Sequence, residues 1–330
     1  MKNWNFILGV DVSKLTLDIH CAELNEHIKI ANGTEGFKGF KKWVKELRID
    51  LEKSIIVMEY TGGYEYKLIQ FCESLSIPYT RIPGLAIKNS LGITRGKTDK
   101  VDSKRIAIYA DEKIKSISPD KPLNRRILQL KEILSFRKRL VRTNAGLKAS
   151  LKERLFMYDI TSKDIIKKIT EHSIKKNNAD IKKLDISMED LVKDDPAMLK
   201  NFTIIKSIKG IGPVNALMTI AYTENFTSFS NPRTYAVYVG VIPFDHSSGT
   251  SIYGRKRVSH IANKELKQEL NQAAKTAIQW DKELSAYAYR KLQSKPYPIV
   301  LNNVKFKLIL RMFSLVKRGA LYVENYEKAA

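Results

Sequence analysis

Two apolar runs near the start of the chain each end in an acidic residue, and they constrain the fold more than any other feature. Residues 6–13 read Phe-Ile-Leu-Gly-Val-Asp-Val-Ser, and residues 54–59 read Ser-Ile-Ile-Val-Met-Glu. Apolar runs of this length are typical of buried strands. A charge at the end of a buried strand is costly unless it is paired or bound to a metal. Asp11 and Glu59 are therefore candidate metal ligands at the edge of a sheet.

The residues around these two runs alternate between strand and helix patterns. Residues 15–20 and 26–31 predict two strands that form a meander with the first run, and residues 79–82 predict a further strand. Residues 36–47 and 64–75 have the apolar spacing of helices. Alternation of this kind implies an α/β sheet, in which functional groups collect at the carboxyl ends of the strands.

A second pair of acids lies where a helix is predicted to begin. Residues 97–102 read Lys-Thr-Asp-Lys-Val-Asp, and residues 103–110 have helical spacing. Asp99 and Asp102, three residues apart at a helix start, face the same way. Two like charges so close repel each other unless a cation lies between them, and Mg²⁺ is the usual cation among oxygen ligands. The alternative is an ordinary helix start, where Asp is favoured as a cap and by the helix dipole.

The charge balance points to a polyanionic partner. The 330-residue chain carries a formal net charge of +23, and 43% of its residues are hydrophobic, which provides for a sizeable core. Nucleic acid is the first candidate partner for so basic a chain, and a membrane surface is the second. No apolar stretch reaches the length of about 18 residues that a membrane-spanning helix needs. The N-terminus leads into a strand rather than a signal peptide, and two cysteines provide neither a disulfide framework nor a zinc set, so we expect a soluble cytoplasmic protein.

Residues 123–158 predict one or two long, basic helices. Their apolar residues recur close to a heptad spacing, which allows coiling with a partner chain. Nearly all the charges have one sign, whereas a helix that merely faces solvent mixes signs. Phosphate binding is therefore preferred over a role in solubility alone. Two further polar helices are predicted at residues 161–178 and 186–201, with a break at Asp194-Asp195-Pro196.

Residues 199–223 have the pattern of a helix-hairpin-helix. Gly210-Ile211-Gly212 allows a tight turn, and backbone N–H groups at the start of the second helix can hold a DNA phosphate. The alternative is a helical hairpin that binds no ligand.

Residues 243–250 read Pro-Phe-Asp-His-Ser-Ser-Gly-Thr, which predicts a loop. Ser248, next to a glycine in a basic setting, is a possible nucleophile, although an ordinary turn serine is the commoner case. A helix is predicted from Asn263 to Trp280, with more helices to the end of the chain. The basic side chains predicted to contact nucleic acid are Lys97, Lys100, Arg137, Lys138, Arg139, Arg142, Arg255, Lys256 and Arg257.

Taken in order, these motifs resemble the DEDD transposases of the IS110 insertion-sequence family. The first half of the resemblance is Gly-Val-Asp-Val-Ser-Lys, then Glu-x-Thr-Gly, then Lys-Thr-Asp-x-x-Asp-Ser-Lys. The second half is Gly-Ile-Gly-Pro, Gly-Val-x-Pro, Ser-Gly, a basic stretch and an Asn before a helix. The resemblance covers about residues 7–318. One departure is that residues 259–263 read Ser-His-Ile-Ala-Asn where the family has Ser-Lys-x-Gly-Asn, which affects how that loop would bind phosphate.

The resemblance implies a mechanism and a set of partners. The acids Asp11, Glu59, Asp99 and Asp102 would hold Mg²⁺. Ser248, with its neighbour Ser247 as the alternative, would attack DNA and form a covalent link. Donor and target DNA would pair with a structured non-coding guide RNA, the bridge RNA, and the protein would act as a homo-oligomer, a dimer or a tetramer. The rival functions are a RuvC-like nuclease that needs no serine, a Piv-type DNA invertase, and a non-catalytic nucleic-acid-binding protein.

The predicted fold class is α/β plus α. The resemblance implies an RNase H-like (RuvC-like) catalytic domain over residues 1–118. Residues 119–198 would form the basic helical or coiled-coil region. Residues 199–330 would form a mostly helical C-terminal domain with the helix-hairpin-helix and the serine loop.

Overall fold

The computed structural model describes residues 4–90, 98–248 and 252–324, and within strands β6 and β7, defined below, it leaves out several side chains. The chain is mixed α/β with mostly helical content. It divides into two compact units, Met1–Leu123 and Asn124–Ala330. The division into three functional regions stays a prediction. None of the helices described is long and apolar enough to cross a membrane.

The first unit is built on a five-stranded sheet with the order β3-β2-β1-β4-β5. Strands β1, β2 and β3 form an antiparallel meander, and β4 and β5 run parallel to β1. The predicted meander and the two later strands are therefore present. The strands are β1 (Phe6–Val12), β2 (Thr16–Cys21), β3 (Glu26–Ala31), β4 (Ser54–Glu59) and β5 (Tyr79–Ile82).

Helices cover both faces of this sheet, because its strands are apolar on both sides. One face packs with Phe40 and Leu68 of α1 and α2, and the other packs with Ile87 and Ile106 of α3 and α4. The short α3 was not predicted from the sequence. The helices are α1 (Thr34–Glu46), α2 (Tyr66–Ser74), α3 (Gly84–Ser90) and α4 (Asp99–Glu112), and a 3-10 turn spans Leu51–Lys53.

Alternation along the strands decides which acids share a face. Successive side chains of a strand point to opposite faces. In β1, Leu8 and Val10 lie in the α1–α2 layer, while Ile7 lies in the α3–α4 layer. Asp11 therefore belongs to the α3–α4 face with Ile7. By the same count in β4, Glu59 belongs to that face.

Helix α4 lies unusually close to β1 at Gly9. A Cβ added to Gly9 would stand 2.5 Å from the carbonyl oxygen of Ser103 and would also overlap the backbone nitrogen of Ala107. Ser103 and Ala107 are completely buried, so small residues line both sides of this contact. The absence of a side chain on Gly9 thus lets the backbone of α4 rest directly on the strand that carries Asp11.

The second unit is a helical domain with one β-hairpin. Its core is formed by the first half of α5, the end of α6 and helices α7 to α12. The helices are α5 (Arg125–Met157), α6 (Ile165–Lys193), α7 (Pro196–Lys206), α8 (Pro213–Thr223), α9 (Pro232–Val239), α10 (Lys264–Trp280), α11 (Lys282–Leu292) and α12 (Tyr297–Arg318).

Helices α5 and α6 pack against each other and are joined by polar side-chain contacts. The Asn144 amide donates to Asn178 at 2.9 Å and accepts from Asn177 at 2.8 Å. Arg137 pairs with Asp185 at 2.6 Å. The predicted break at Asp194-Asp195-Pro196 is present, since α6 ends at Lys193 and α7 begins at Pro196. The predicted separation between helices 161–178 and 186–201 was wrong. Residues 179–185 contain no Gly or Pro and keep the helical apolar spacing, so α6 continues through them.

The prediction of a loop at residues 243–250 was also wrong for residues 243–248, while residues 249 and 250 lie outside the described ranges. Strand β6 (Pro243–Ser248) pairs antiparallel with β7 (Ile252–Val258) to form a hairpin. Strand β6 could not be recognised from its polar composition. It forms through hydrogen bonds to β7 and not through burial of apolar residues.

We predict that Gly9→Ala destabilises the protein by about 3 kcal/mol, since the new methyl group meets backbone atoms that cannot rotate away. Urea unfolding followed by tryptophan fluorescence measures this. Gly33→Ala is the matched control, because no atom lies within 4 Å of a Cβ there. Equal stability of the two variants would contradict the close packing of α4 on β1.

Candidate functional site

Asp11 and Glu59 stand at the carboxyl ends of neighbouring parallel strands. Val10 of β1 is in register with Met58 of β4, so the residues that follow them, Asp11 and Glu59, come at the same edge of the sheet. On the other side of β1, Asp11 is directly opposite Asp18 of β2. Strand pairing alone therefore brings three acids to the edge that α4 covers.

Helix α4 adds two more acids at its first turn. Its N-cap is Thr98, whose side-chain oxygen accepts a hydrogen bond from the backbone N–H of Val101 at 3.3 Å. Asp99 and Asp102 both lie in the first turn, and neither acts as the cap. The alternative interpretation of these acids as N-caps is therefore wrong, while favourable interaction with the helix dipole remains.

The charges of these acids act together on Asp11. Its pKa is raised from 3.8 to about 6. Burial is the largest cause, and the negative charges of Asp102, Asp99, Glu59 and Asp18 follow in that order. Each of the other three predicted ligands thus lies close enough to oppose ionisation of Asp11. We refer to Asp11, Glu59, Asp99 and Asp102 as the acidic centre.

Asp18 is an acid that the sequence analysis did not single out. It is buried, and it is paired with His27 at 3.0 Å and with Lys29 at 3.1 Å. Lys29 also reaches Asp99 at 3.3 Å, and these two carboxylates raise its pKa. The signal was present in the sequence, because Asp18 is a polar residue within a predicted strand next to the strand of Asp11.

The remaining acids have neighbours of their own. The Asp102 carboxylate accepts a hydrogen bond from Arg105 at 2.8 Å. The Glu59 carboxylate lies against Gly84, at the start of α3, where a Cβ would overlap it. In the part of the chain that the structure describes, no three His, Cys, Asp or Glu side chains form a ready metal-binding group. Joint coordination of a metal by the acidic centre therefore stays a prediction.

The donor set nevertheless fits a hard divalent cation. Oxygen ligands from carboxylates are those that Mg²⁺ prefers. After burial, repulsion from Asp102, Asp99, Glu59 and Asp18 raises the pKa of Asp11, so negative charges are concentrated at this edge. A divalent cation would relieve that repulsion and would favour the ionised form of Asp11.

Two of the basic side chains on α5 that were predicted to contact phosphate form ion pairs with acids of the second unit. Arg137 pairs with Asp185, and Lys138 pairs with Glu265. Arg139 and Arg142 are exposed. Lys100 is also exposed at the start of α4, and Lys97 lies outside the described residues. The exposed side chains are the ones that remain accessible to a polyanion.

The glycines of the predicted helix-hairpin-helix differ in role. Gly210 has a φ of +94°, and a Cβ there would stand 2.6 Å from the carbonyl oxygen of Ala273 in α10. Gly210 therefore serves both the turn and the close packing of α10. Gly212 is the exposed N-cap of α8, where a Cβ would have open space.

Ser247 and Ser248 lie at the end of β6, opposite Tyr253 and Ile252 of β7. Their side chains are outside what the structure describes, as is that of Arg255. The basic candidates that remain on β7 are exposed: Lys256 pairs with Asp245 at 2.7 Å, and Arg257 is opposite Phe244.

Comparisons with known proteins match both halves of the chain. A transposase model of the DEDD IS110 type matches residues 8–158. A model described as Transposase IS116/IS110/IS902 family matches residues 202–289. The pilin gene-inverting proteins of Moraxella lacunata and Moraxella bovis are each 25% identical over 270 residues, which is 80% of this chain and 80% of each relative.

The charge repulsion at Asp11 predicts a pH-dependent effect of Asp11→Asn. An acid whose pKa is raised on folding destabilises the folded state as pH rises from about 4 to about 6, and the penalty is constant above that. Without divalent cations, we expect the variant to be more stable than the wild type at pH 8 by about 1–2 kcal/mol, after allowance for solvent screening.

Urea unfolding at several pH values, with a chelator present, measures this difference. The advantage of Asp11→Asn should disappear below about pH 4, where both folded and unfolded Asp11 are protonated. A variant that is less stable than the wild type at pH 8, or a difference that does not change with pH, would contradict the assignment.

Proposed function

Because the chain belongs to the IS110-type transposases and is a DNA recombinase, we propose that it cuts and rejoins DNA with Ser248 as nucleophile beside a Mg²⁺-bound acidic centre. The observation that supports this proposal most directly is the raised pKa of Asp11 and its causes. An edge where the other predicted ligands all oppose ionisation of one carboxylate is suited to a divalent cation.

The acidic centre would hold the metal, with Lys29 and Arg105 as cationic neighbours. When bound, Mg²⁺ supplies positive charge that polarises a scissile phosphate. The pairs with Lys29 and Arg105 orient Asp99 and Asp102 at the start of α4. Asp18, already paired with His27 and Lys29, contributes negative charge to the edge without being free to act as a ligand.

The serine provides the covalent step. The Ser248 hydroxyl oxygen loses its proton and forms a bond to phosphorus, while the bond from phosphorus to a deoxyribose oxygen breaks. The leaving oxygen takes up one proton, so the transfer balances. The phosphoserine ester conserves the energy of the broken bond, so the reverse attack by a DNA hydroxyl can rejoin strands. The end of a β-strand at a hairpin tip suits this role, because it can present a hydroxyl to an extended substrate.

Nucleic-acid binding follows from the charge of the chain. The exposed Arg139 and Arg142 of α5 would contact backbone phosphates, as would Lys100 and Arg257. The Gly210–Gly212 turn would act as a helix-hairpin-helix, with the start of α8 toward DNA. The guide RNA and the homo-oligomer implied by the family are part of the proposal, as is coiling of α5 with a partner chain. The sheet order β3-β2-β1-β4-β5 supports the RNase H-like assignment.

The matched relatives favour a second candidate function. Both are pilin gene-inverting proteins, so a site-specific DNA invertase is the alternative biological role for the same serine and acids. A RuvC-like nuclease is the rival in chemistry, because it would hydrolyse DNA with the acids alone.

Ser248→Ala separates the recombinase from the hydrolytic nuclease. We predict that the variant keeps its fold and its affinity for nucleic acid but loses strand exchange and the covalent protein–DNA adduct, because no other group provides the nucleophilic oxygen. Denaturing gels of reactions with DNA, Mg²⁺ and the guide RNA measure the adduct.

Ser247→Ala is the matched control, since it removes the neighbouring hydroxyl and should retain most of the adduct. If Ser248→Ala still cuts DNA at the wild-type rate, water is the nucleophile and the nuclease function is correct. If only Ser247→Ala loses the adduct, the nucleophile is Ser247.

A further inference from the structure

Lys305 is a buried lysine in the core of the second unit, and the proposed function does not use it. It lies in α12 and is only 4% exposed. Within the described ranges, no hydrogen bond or ion pair joins its ammonium group to another residue. Burial of an unpaired charge is costly, and this cost lowers the pKa of Lys305 to about 8, with Lys267 adding repulsion.

Lys267, on α10, is the second lysine at this place. It is partly buried, and burial lowers its pKa as well. It too has no acidic partner among the residues that the structure describes. These two lysines are like charges that repel each other and lack a counter-charge. The acids around Asp11 are likewise like charges close together, with the opposite sign. An anion between them would relieve both penalties.

Both lysines lie at the base of the β6–β7 hairpin. A Cβ on Gly240, the C-cap of α9, would stand 3.9 Å from the Lys267 side-chain nitrogen. Asn302, one turn before Lys305 on α12, donates to the carbonyl oxygen of Val241 at 2.6 Å. Asn302 and Lys305 share a face of α12 because they are three residues apart. The face that carries Lys305 therefore holds the segment that leads into β6.

We propose that Lys267 and Lys305 bind one backbone phosphate of the nucleic acid at the base of the β6–β7 hairpin, which carries Ser248. The Lys305 nitrogen has no hydrogen-bond partner among the described residues, yet it is not one of their completely buried unpartnered polar atoms, so it lies at the boundary of the core. A lysine held in this way acts as a fixed point charge, which is how lysine recognises phosphate. This inference rests on the proposed function, since DNA is the polyanion that brings the phosphate to this hairpin.

The phosphate bound there is not the one that Ser248 attacks. Strand β6 runs from Pro243 to Ser248, and at a rise of about 3.3 Å per residue its ends are about 17 Å apart. Lys267 and Lys305 thus act as positioning residues that hold a flanking phosphate, so that the hairpin tip meets the strand in a fixed register.

Lys305→Met tests the inference because it predicts opposite effects on stability and on binding. Removal of an unpaired buried charge should raise the midpoint of thermal unfolding of the full-length protein. Affinity for a labelled DNA duplex, measured by fluorescence anisotropy, should fall about tenfold at low salt. The slope of log affinity against log salt should flatten by about 0.9, the value for one phosphate contact.

Lys317→Met is the matched control, since it removes the same charge from an exposed position on α12. It should leave the unfolding midpoint and the slope near the wild-type values. Lys267→Met should flatten the slope as Lys305→Met does, and the double variant should flatten it no further, because the two lysines share one phosphate.

Three outcomes would overturn the inference. The first is a Lys305→Met variant whose slope of log affinity against log salt equals that of Lys317→Met. The second is a Lys305→Met variant that is less stable than the wild type. The third is equal stabilisation of the wild type by inorganic phosphate and by the duplex, which would assign the site to small free phosphates. A wild-type protein that does not bind DNA at all would instead contradict the proposed function.

Discussion

The contact of α4 with β1 at Gly9 is the constraint on which the rest of the first unit depends. Any side chain at Gly9 would meet the backbone around Ser103 and Ala107, so the helix would stand off from the sheet. The first turn of α4 carries Asp99 and Asp102, and their distance from Asp11 follows from this contact. The glycine in β1 therefore supports the electrostatics of the site, although it has no chemistry of its own.

The two units share a physical feature, which is that each keeps charge it does not neutralise internally. In the first, burial and then the acids at one sheet edge raise the pKa of Asp11, although Lys29 lies nearby. In the second, Lys267 and Lys305 have lowered pKa values and no acidic partner among the described residues. Unbalanced charge is costly to folding. In the account proposed above, a divalent cation would offset that cost at the acids, and a DNA phosphate would offset it at the lysines.

The sequence alone predicted much of the sheet and several helices of the second unit, among them α5, the α7–α8 pair and α10. Strands 26–31, 54–59 and 79–82 coincide with β3, β4 and β5, because each run is bounded by polar or turn residues that stop a strand. The hairpin of β6 and β7 was missed, because its polar residues become a strand only through their partner. Continuity of α6 was missed as well, although residues 179–185 keep the apolar spacing of a helix.

For the candidate site too, local features could be predicted from the sequence, and contacts between distant segments could not. Each acid was located from its position at a strand end or helix start, which is local information. The positions of Asp18 and Lys29 beside the acidic centre depend on strand register. The burial of Lys305 depends on helix packing. A single sequence gives neither. The role of Gly9 was hidden for the same reason, because only the position of α4 reveals it.

Calorimetric titration with Mg²⁺ tests most directly the claim that the acidic centre is a divalent-cation site. We predict that the wild type binds Mg²⁺ above about pH 6 and releases a proton when titrated near that pH, because the cation favours ionised Asp11. Asp11→Asn should lose this binding, whereas Glu112→Gln, at the exposed far end of α4, should keep it. Equal binding by Asp11→Asn and the wild type, or no binding by either, would contradict the account.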